Sequence, residues 1–284
     1  MRPSFFPTVF TLCVVGAKAR DVPQNVRDLY NSIRDKGSCA DRLATGFWAT
    51  SSGTNTFSYC GDHLSSGKVV YIQGTGGSLA DMDIDCDGVQ GGPQDDGRCA
   101  YNRSPDLQDT TAFQNTVARY RAGVSDLNTY VHPYVVFGNT GSKEGWRTFD
   151  PMSSGVQPLS VMAVVCGDKL VYGVWGDTNG DDGNHPMVGE TSLALATACY
   201  GDSMTGSNGH SRTDVLYLAF TGREAVPGAS GANWNASNYD DFAKSIEQLG
   251  DRLVERMRSW GSRARAEWRL LVSGTILGII WLSI

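Results

Sequence analysis

One stretch, residues 170–199, constrains the fold and function of this chain more than any other. Its first part, residues 170–175, is an apolar run rich in β-branched and aromatic residues, which predicts a buried strand. The next residue is a glycine that we expect to end the strand, with Asp177 at its end and a loop of Thr, Asn, Gly and Asp behind it. Glu190 then precedes an Ala- and Leu-rich run, residues 193–199, which predicts a short packed helix.

A carboxylate at a strand end and another at a helix start can meet across one cleft if the loop between them folds back. Two such groups are what cleavage of a glycosidic bond requires, because one protonates the leaving oxygen while the other activates water or attacks the sugar. The alternative for Glu190 is a structural role as a helix cap, and acidic loop residues are often simply solvated. Asp177 and Glu190 are therefore the candidate catalytic residues.

The composition indicates a fold built mainly from strands. The chain has 284 residues, enough for one large domain, and it combines 34 glycines with only 19% charged residues. Such a balance is typical of strands joined by tight turns. We expect a mainly β (α+β) fold: a compact β-barrel-like domain, with the double-psi type as candidate topology, a few peripheral helices and disulfides.

Apolar periodicity places the remaining elements. It predicts helices over residues 20–36, 110–121 and 239–257, each with a single apolar face. Short apolar or alternating runs predict strands at 68–73, 130–137 and 214–220, and a hairpin formed by 159–165 and 169–174.

The two ends of the chain differ from its centre. Residues 1–19 combine a basic start, an apolar core and an A-x-A site, which predicts a cleaved signal peptide and secretion. Residues 258–284 are basic and then apolar. They resemble a GPI-attachment signal, although an artefact of the gene prediction is an equal alternative. Residues 20–257 are therefore the expected catalytic domain, and membrane association is expected only if the tail is a GPI signal.

Six cysteines remain once residues 1–19 are removed. An even number in a secreted chain predicts up to three disulfides, although their pairing stays open. No CxxC pair is present, so a zinc site is not expected, and we predict neither a metal nor a cofactor.

Charge narrows the choice of partner. The formal net charge is −6, and removing the two cations of residues 1–19 and the net +3 of residues 258–284 leaves about −11 on residues 20–257. Phosphate would be repelled by this core, so a nucleic-acid partner is not expected, whereas a polycationic ligand would be attracted. Acidic composition that serves solubility alone is the other interpretation.

Residues 81–88 are the most acidic segment. Asp83, Asp85 and Asp87, followed by Gly88, match the opening of an EF-hand loop, but the position that needs a bidentate Glu is Gln94. The same acids could instead lie on one face of a strand that lines a groove for positively charged sugars.

The motifs VYGVWGDTNGDDG and MVGETSLALATAC, together with YIQG, DMDIDCDG and YVVFG, resemble those of the fungal chitosanases of glycoside hydrolase family 75. The resemblance covers most of residues 25–222. It implies an enzyme that cleaves internal β-1,4 bonds of chitosan with inversion, with Asp177 as general base and Glu190 as general acid, although either order satisfies the chemistry.

This resemblance also suggests which residues contact the substrate. The amines of chitosan are largely protonated at mildly acidic pH, so acidic side chains can hold them. We expect ammonium contacts at Asp81, Asp83, Asp85, Asp181 and Asp182. The candidates for sugar stacking are Trp175, Trp146 and Tyr134, although aromatic residues in strands more often belong to the core.

The sequence therefore predicts a secreted, monomeric chitosanase that acts without a cofactor. For inversion, we expect the carboxyl groups of Asp177 and Glu190 to lie roughly 6.5–9.5 Å apart, or somewhat further in an open cleft without substrate, leaving room for water. Two alternatives stay open: a non-catalytic, calcium-dependent, GPI-anchored wall protein, and a hydrolase of neutral β-glucans on a similar fold. The length of the products and the tolerance of acetylated units are also open.

Overall fold

The computed structural model describes residues 20–100 and 108–257. The predicted signal peptide and C-terminal tail lie outside these residues. The strands are β1 (Arg20–Asp21), β2 (Arg42–Phe47), β3 (Phe57–Cys60), β4 (Val69–Gln73), β5 (Ala80–Asp85), β6 (Tyr134–Asn139), β7 (Val161–Cys166), β8 (Lys169–Asn179), β9 (Glu190–Ser192) and β10 (His210–Phe220). The helices are α1 (Gln24–Asp35), α2 (Leu64–Gly67), α3 (Gln114–Arg119), α4 (Leu193–Tyr200) and α5 (residues 239–257).

Most predicted elements are present with shifted ends. The hairpin of β7 and β8 forms as expected, with Val161 paired to Val174 and Cys166 to Lys169. Residues 239–257 are helical as predicted. Strands β4, β6 and β10 and helix α4 also correspond to predicted elements.

Three boundaries differ because long-range pairing overrides local periodicity. Arg20 and Asp21 pair with β8, so helix α1 begins only after Pro23, whose fixed φ suits a helix start. Helix α3 is shorter than the predicted 110–121, because the backbone and hydroxyl of Thr111 bond to the carboxylate of Asp126. The glycine after residue 175 does not end β8, which continues to Asn179.

Strand pairing closes six strands into a ring. Their order is β8–β6–β9–β5–β10–β7, and β7 completes the circuit because it pairs with both β10 and β8. Strands β4, β3 and β2 extend the sheet from β10. The fold is thus mixed and sheet-dominated with few helices, which confirms the expected class. The double-psi topology stays a prediction.

Two hydrophobic clusters occupy the two faces of these strands. Along β7, Met162 and Val164 belong to the first cluster, while Val161, Ala163 and Val165 belong to the second. The second cluster also contains the apolar faces of α1 and α5, which cover that side of the sheet. Successive strand residues point to opposite faces. Both faces of β7 are buried against a hydrophobic cluster, so β7 is apolar throughout its length.

Three disulfides join the six described cysteines. They are Cys39–Cys60, Cys86–Cys99 and Cys166–Cys199, so the pairing that the sequence left open is now assigned. Cys86 lies directly after β5, and the 86–99 bond fixes the segment that follows the acidic strand. Within residues 20–100 and 108–257, none of the helices has the length and apolar character needed to cross a membrane.

Candidate active site

Strand pairing puts Asp177 and Glu190 on either side of β6. Val136 of β6 pairs with Asp177 of β8 and, on its other side, with Glu190 of β9. Glu190 pairs in turn with Asp83 of β5. Side chains in register on neighbouring strands point to the same face, so these residues form a row across four strands, here called the carboxylate row. Two strand spacings separate Asp177 from Glu190, about 10 Å between Cα atoms.

A bulge at Gly176 turns Asp177 onto this face. Val135 pairs with Trp175, whereas the next β6 residue pairs with Asp177, which leaves Gly176 as an extra residue on β8. A Cβ atom at Gly176 would lie 2.5 Å from the Cβ of Tyr134, so only glycine fits there. Without the bulge, Asp177 would share the face of Trp175, which belongs to the first hydrophobic cluster.

The position of Glu190 follows from the residues on both sides of it. Gly189 adopts φ +98°, and a Cβ atom there would lie 2.7 Å from the Oδ1 atom of Asp81, so glycine allows β9 to approach β5 closely. The cap of helix α4 is Ser192, whose Oγ accepts a hydrogen bond from the backbone N–H of Leu195. Glu190 therefore lies on a strand rather than at the helix start, and the alternative role as a helix cap belongs to Ser192.

Asp177 is a buried carboxylate with one oxygen held by the backbone. Its Oδ1 accepts hydrogen bonds from the N–H groups of Ala112 and Thr178 at 2.9 and 2.7 Å. Its Oδ2 has no hydrogen-bond partner among the described residues. Burial, followed by the charge of Asp85, raises the pKa of Asp177 well above its ordinary value, although the two backbone donors oppose this shift. Burial therefore disfavours the ionised form of Asp177, and a nearby positive charge would favour it.

Three aspartates meet at this point. Asp85, Asp87 and Asp177 are all buried, and one oxygen of each lies within 4.8 Å of the others. Oxygen ligands at this spacing suit a hard cation or an ammonium group, and a proton can also reduce the repulsion. The EF-hand interpretation does not hold, because Asp83 and Asp85 are strand residues of β5. The predicted absence of a metal stays a prediction.

The acidic strand β5 divides its side chains between the two faces. Ala80, Met82 and Ile84 belong to the first hydrophobic cluster, so the aspartates at 81, 83 and 85 lie on the other face, as the alternation predicts. Asp81 is 2% exposed, and its Oδ1 has no hydrogen-bond partner among the described residues. Burial, followed by the charge of Asp83, raises the pKa of Asp81 to about 9. Asp83 is the exposed member of the set.

An open cleft of about 370 Å³ lies beside Asp177. Asp181 and Asp182, which are both predicted to contact the substrate, line this cleft. The Oδ2 atom of Asp181 accepts hydrogen bonds from the backbone N–H groups of Ser142 and Lys143, and these bonds lower the pKa of Asp181. The cleft is lined by Asp87, Gln108, Thr110, Thr111, Ala112, Asp177, Thr178, Gly180, Asp181 and Asp182.

The aromatic candidates for sugar stacking are mostly unavailable. Trp175 is 1% exposed, packs edge-on against Phe113 and donates its indole N–H to the backbone oxygen of Asp177. Tyr134 is fully buried. Trp146 is half-buried, and the ammonium of Lys143 lies 5.1 Å from its ring centre. Trp175 and Tyr134 therefore support the site from within the core, which corrects the expectation of direct stacking.

Two features of the site were missed from the sequence. Ala112 donates its backbone N–H to Asp177, whereas periodicity predicts that it lies in a helix over residues 110–121. Trp48 stacks on His185 of the loop between Asp177 and Glu190, with ring centres 3.9 Å apart. Periodicity contains no signal for either contact, because both join segments that are distant in sequence.

Comparison with known proteins is consistent with this site. The family described as "Fungal chitosanase of glycosyl hydrolase group 75" matches residues 82–256. An endo-chitosanase of Aspergillus oryzae (strain ATCC 42149 / RIB 40) is 42% identical over 246 residues, which cover 86% of this chain and 95% of the relative. An endo-chitosanase of Aspergillus fumigatus is also 42% identical, over 248 residues that cover 87% of this chain and 95% of the relative.

Proposed function

Because the chain belongs to the fungal chitosanases of glycosyl hydrolase group 75, and is thus a glycoside hydrolase, we propose that it hydrolyses internal β-1,4 bonds of chitosan with inversion. Asp177 and Glu190 are the proposed catalytic pair. The observation that carries this proposal is the carboxylate row, in which both acids lie on one face and flank a single strand. Family membership disfavours the alternative of a non-catalytic wall protein.

In the proposed reaction, Glu190 protonates the leaving glycosidic oxygen while Asp177 takes a proton from the attacking water. The separation of about two strand spacings leaves room for a water molecule between the base and the sugar. Two backbone N–H groups orient the carboxylate of Asp177, which leaves Oδ2 as the atom that accepts the proton. No covalent sugar–enzyme intermediate is needed.

The substrate itself is proposed to ionise the base. Burial and Asp85 hold the pKa of Asp177 high in the free enzyme. A glucosamine ammonium bound near Asp85 and Asp87 would offset their negative charge and lower the pKa of Asp177. Protonated chitosan would therefore activate Asp177, whereas a neutral glucan would not. The exposed Asp83 and the cleft residues Asp181 and Asp182 are the proposed further contacts for ammonium groups.

Secretion and action as a monomer belong to the same proposal. The three disulfides support secretion, because such bonds persist in oxidising compartments outside the cell. The apolar N-terminal segment supports it as well. Membrane attachment would require that residues 258–284 act as a GPI signal.

The test is release of reducing ends from well-deacetylated chitosan, with cellulose and chitin as control substrates. We expect Asp177→Asn and Glu190→Gln each to lower kcat by at least about a hundredfold, because each removes a proton-transfer group. Asp168→Asn is a matched control, since Asp168 is exposed and pairs with Arg27. Full activity in both site variants, or no release by the folded wild type, would refute the proposal.

The roles of the two acids need a separate experiment. A chitooligosaccharide with an aryl leaving group does not require protonation of the leaving oxygen. We therefore expect Glu190→Gln to retain much of its activity on the aryl substrate, while Asp177→Asn stays inactive. The opposite pattern would exchange the roles. The anomeric form of the first product, followed by NMR, would test inversion directly.

A further inference from the structure

Trp48 is the described tryptophan with the least structural explanation. It follows β2 directly, is half-buried, and belongs to neither hydrophobic cluster of the described residues. Trp175 and Trp234 are each only 1% exposed and lie in the clusters. Trp146 carries the ammonium of Lys143 over its ring. An indole that is partly open to solvent is available for contact with a ligand.

Trp48 is attached to the chain segment that leads into Glu190. The backbone N–H of Trp48 donates to the backbone oxygen of Pro186 at 3.0 Å. The backbone oxygen of Trp48 accepts from the backbone N–H of Val188 at 2.8 Å. Trp48 also forms an isolated bridge with Met187. Val188 is two residues before Glu190, about 7 Å along an extended chain. The backbone of Trp48 is therefore paired with the segment that leads directly into the carboxylate row.

The indole ring of Trp48 is held in a fixed orientation. The imidazole of His185 lies parallel to it, with ring centres 3.9 Å apart and an angle of 9° between the planes. His185 is itself half-buried and lies on the loop that also carries Asp181 and Asp182. A flat, fixed and partly open aromatic ring can bind a sugar through its face and an ammonium group through its π electrons.

We propose that Trp48, supported by His185, is a stacking subsite for a glucosamine unit next to the cleaved bond. The inference rests on the proposed function, because it assigns a contact to the substrate of that function. His185 orients the indole, and Trp48 contacts the sugar. The subsite contributes to binding of both the ground state and the transition state, so it lowers KM and leaves kcat nearly unchanged.

The test measures binding and catalysis separately. Binding of a glucosamine hexamer is measured by calorimetry in the Glu190→Gln background, so that the ligand is not consumed. We expect Trp48→Ala to weaken binding about tenfold, and Trp48→Phe to stay within about threefold of the parent. In the active enzyme, Trp48→Ala should raise KM about tenfold and keep kcat within about twofold.

A second variant and a control keep the test decisive if Trp48→Ala folds poorly. His185→Ala removes the stacking partner without changing a cluster residue, and we expect it to weaken hexamer binding about threefold. Met152→Ala is the control, because Met152 is an exposed hydrophobic side chain, and it should leave affinity unchanged. Unchanged hexamer affinity in folded Trp48→Ala, or a fall in kcat with unchanged KM, would overturn the inference. Absence of chitosan hydrolysis by the wild type would instead refute the proposed function.

Discussion

Strands β7 and β5 belong to the same closed ring but differ in what their outer faces carry. On β7 that face presents Val161, Ala163 and Val165 to helices α1 and α5. On β5 the corresponding face carries aspartates, and its inner face is as apolar as that of β7. The difference teaches that this fold separates stability from chemistry by strand: helices cover the apolar outer face of β7, and carboxylates gather where β5, β9 and the end of β8 present theirs.

This separation explains how so many acids can lie close together. The first cluster includes residues from both β5 and β7, so the acidic strand is held by the same core as the apolar one. Its carboxylates need not contribute to folding, and burial raises the pKa of both Asp81 and Asp83. Groups of this kind cost stability and are typical of functional sites.

The largest effect is expected from an acid placed on the outer face of β7, which the helices cover. Ala163→Asp would bury an unpaired carboxylate beneath the helices, among the apolar side chains of the second cluster. We expect a loss of at least about 3 kcal/mol in the free energy of unfolding, or no folded protein. Urea denaturation measures the loss. Ala163→Val is the control for size, and a stable, cooperatively folded Ala163→Asp would contradict the argument.

The next largest effect concerns the disulfide that ties the end of β7 to helix α4. Cys166 ends β7 and Cys199 lies in α4, 33 residues apart in sequence. We expect the double replacement with serine to lower the free energy of unfolding by about 3 kcal/mol, because the unfolded chain gains freedom.

The matched control is the double replacement of Cys86 and Cys99, which closes a shorter loop of 13 residues beside the acidic strand. Its cost should be slightly smaller in thermal or urea unfolding. A much larger cost for the 86–99 pair would show that the acidic strand β5 depends on its crosslink more than β7 and α4 depend on theirs.

The acidic side should also show a distinctive dependence on pH. The folded pKa of Asp81 is about 9, above that of an unfolded aspartate. Between the unfolded and folded pKa values, the folded state therefore keeps a proton on Asp81 that the unfolded state loses. The contribution of Asp81 to the unfolding free energy is complete below about pH 4 and falls as pH rises toward 9. We expect about 2 kcal/mol of this loss between pH 5 and 7.

Asp81→Asn tests this sign, because an amide does not titrate. The variant should be the more stable protein at pH 7 and should show a flatter dependence of unfolding free energy on pH than the wild type. Asp168→Asn, at an exposed site, should leave the slope unchanged. If the unfolding free energy of the wild type instead rose from pH 5 to 7, and Asp81→Asn abolished that rise, the raised pKa of Asp81 would be contradicted.

Local pattern was sufficient for much of this fold but not for the arrangement of the site. The hairpin of β7 and β8 and helix α5 follow from apolar runs and periodicity, which are properties of neighbouring residues. The separation of Asp177 and Glu190 by β6 depends on a strand that comes earlier in the chain, so spacing alone could suggest the pair and not the row. The stacking role expected of Trp175 does not fit for a similar reason: the bulge at Gly176 turns Asp177 outward and leaves the indole in the core.

The smallest effect we predict lies at the junction between the two sides. Ser192 is fully buried, and its Oγ accepts hydrogen bonds from the N–H groups of Tyr134 and Leu195. It thus links β6 to the start of α4, two residues after Glu190. Ser192→Ala should cost about 1 kcal/mol of unfolding free energy, the usual loss for a helix cap. Ser192→Thr, which keeps the hydroxyl, is the control. If Ser192→Ala also lowers kcat on chitosan while Ser192→Thr does not, the cap positions Glu190 as well as stabilising the helix; if neither activity changes, the strand pairing of β9 alone holds Glu190 in the row.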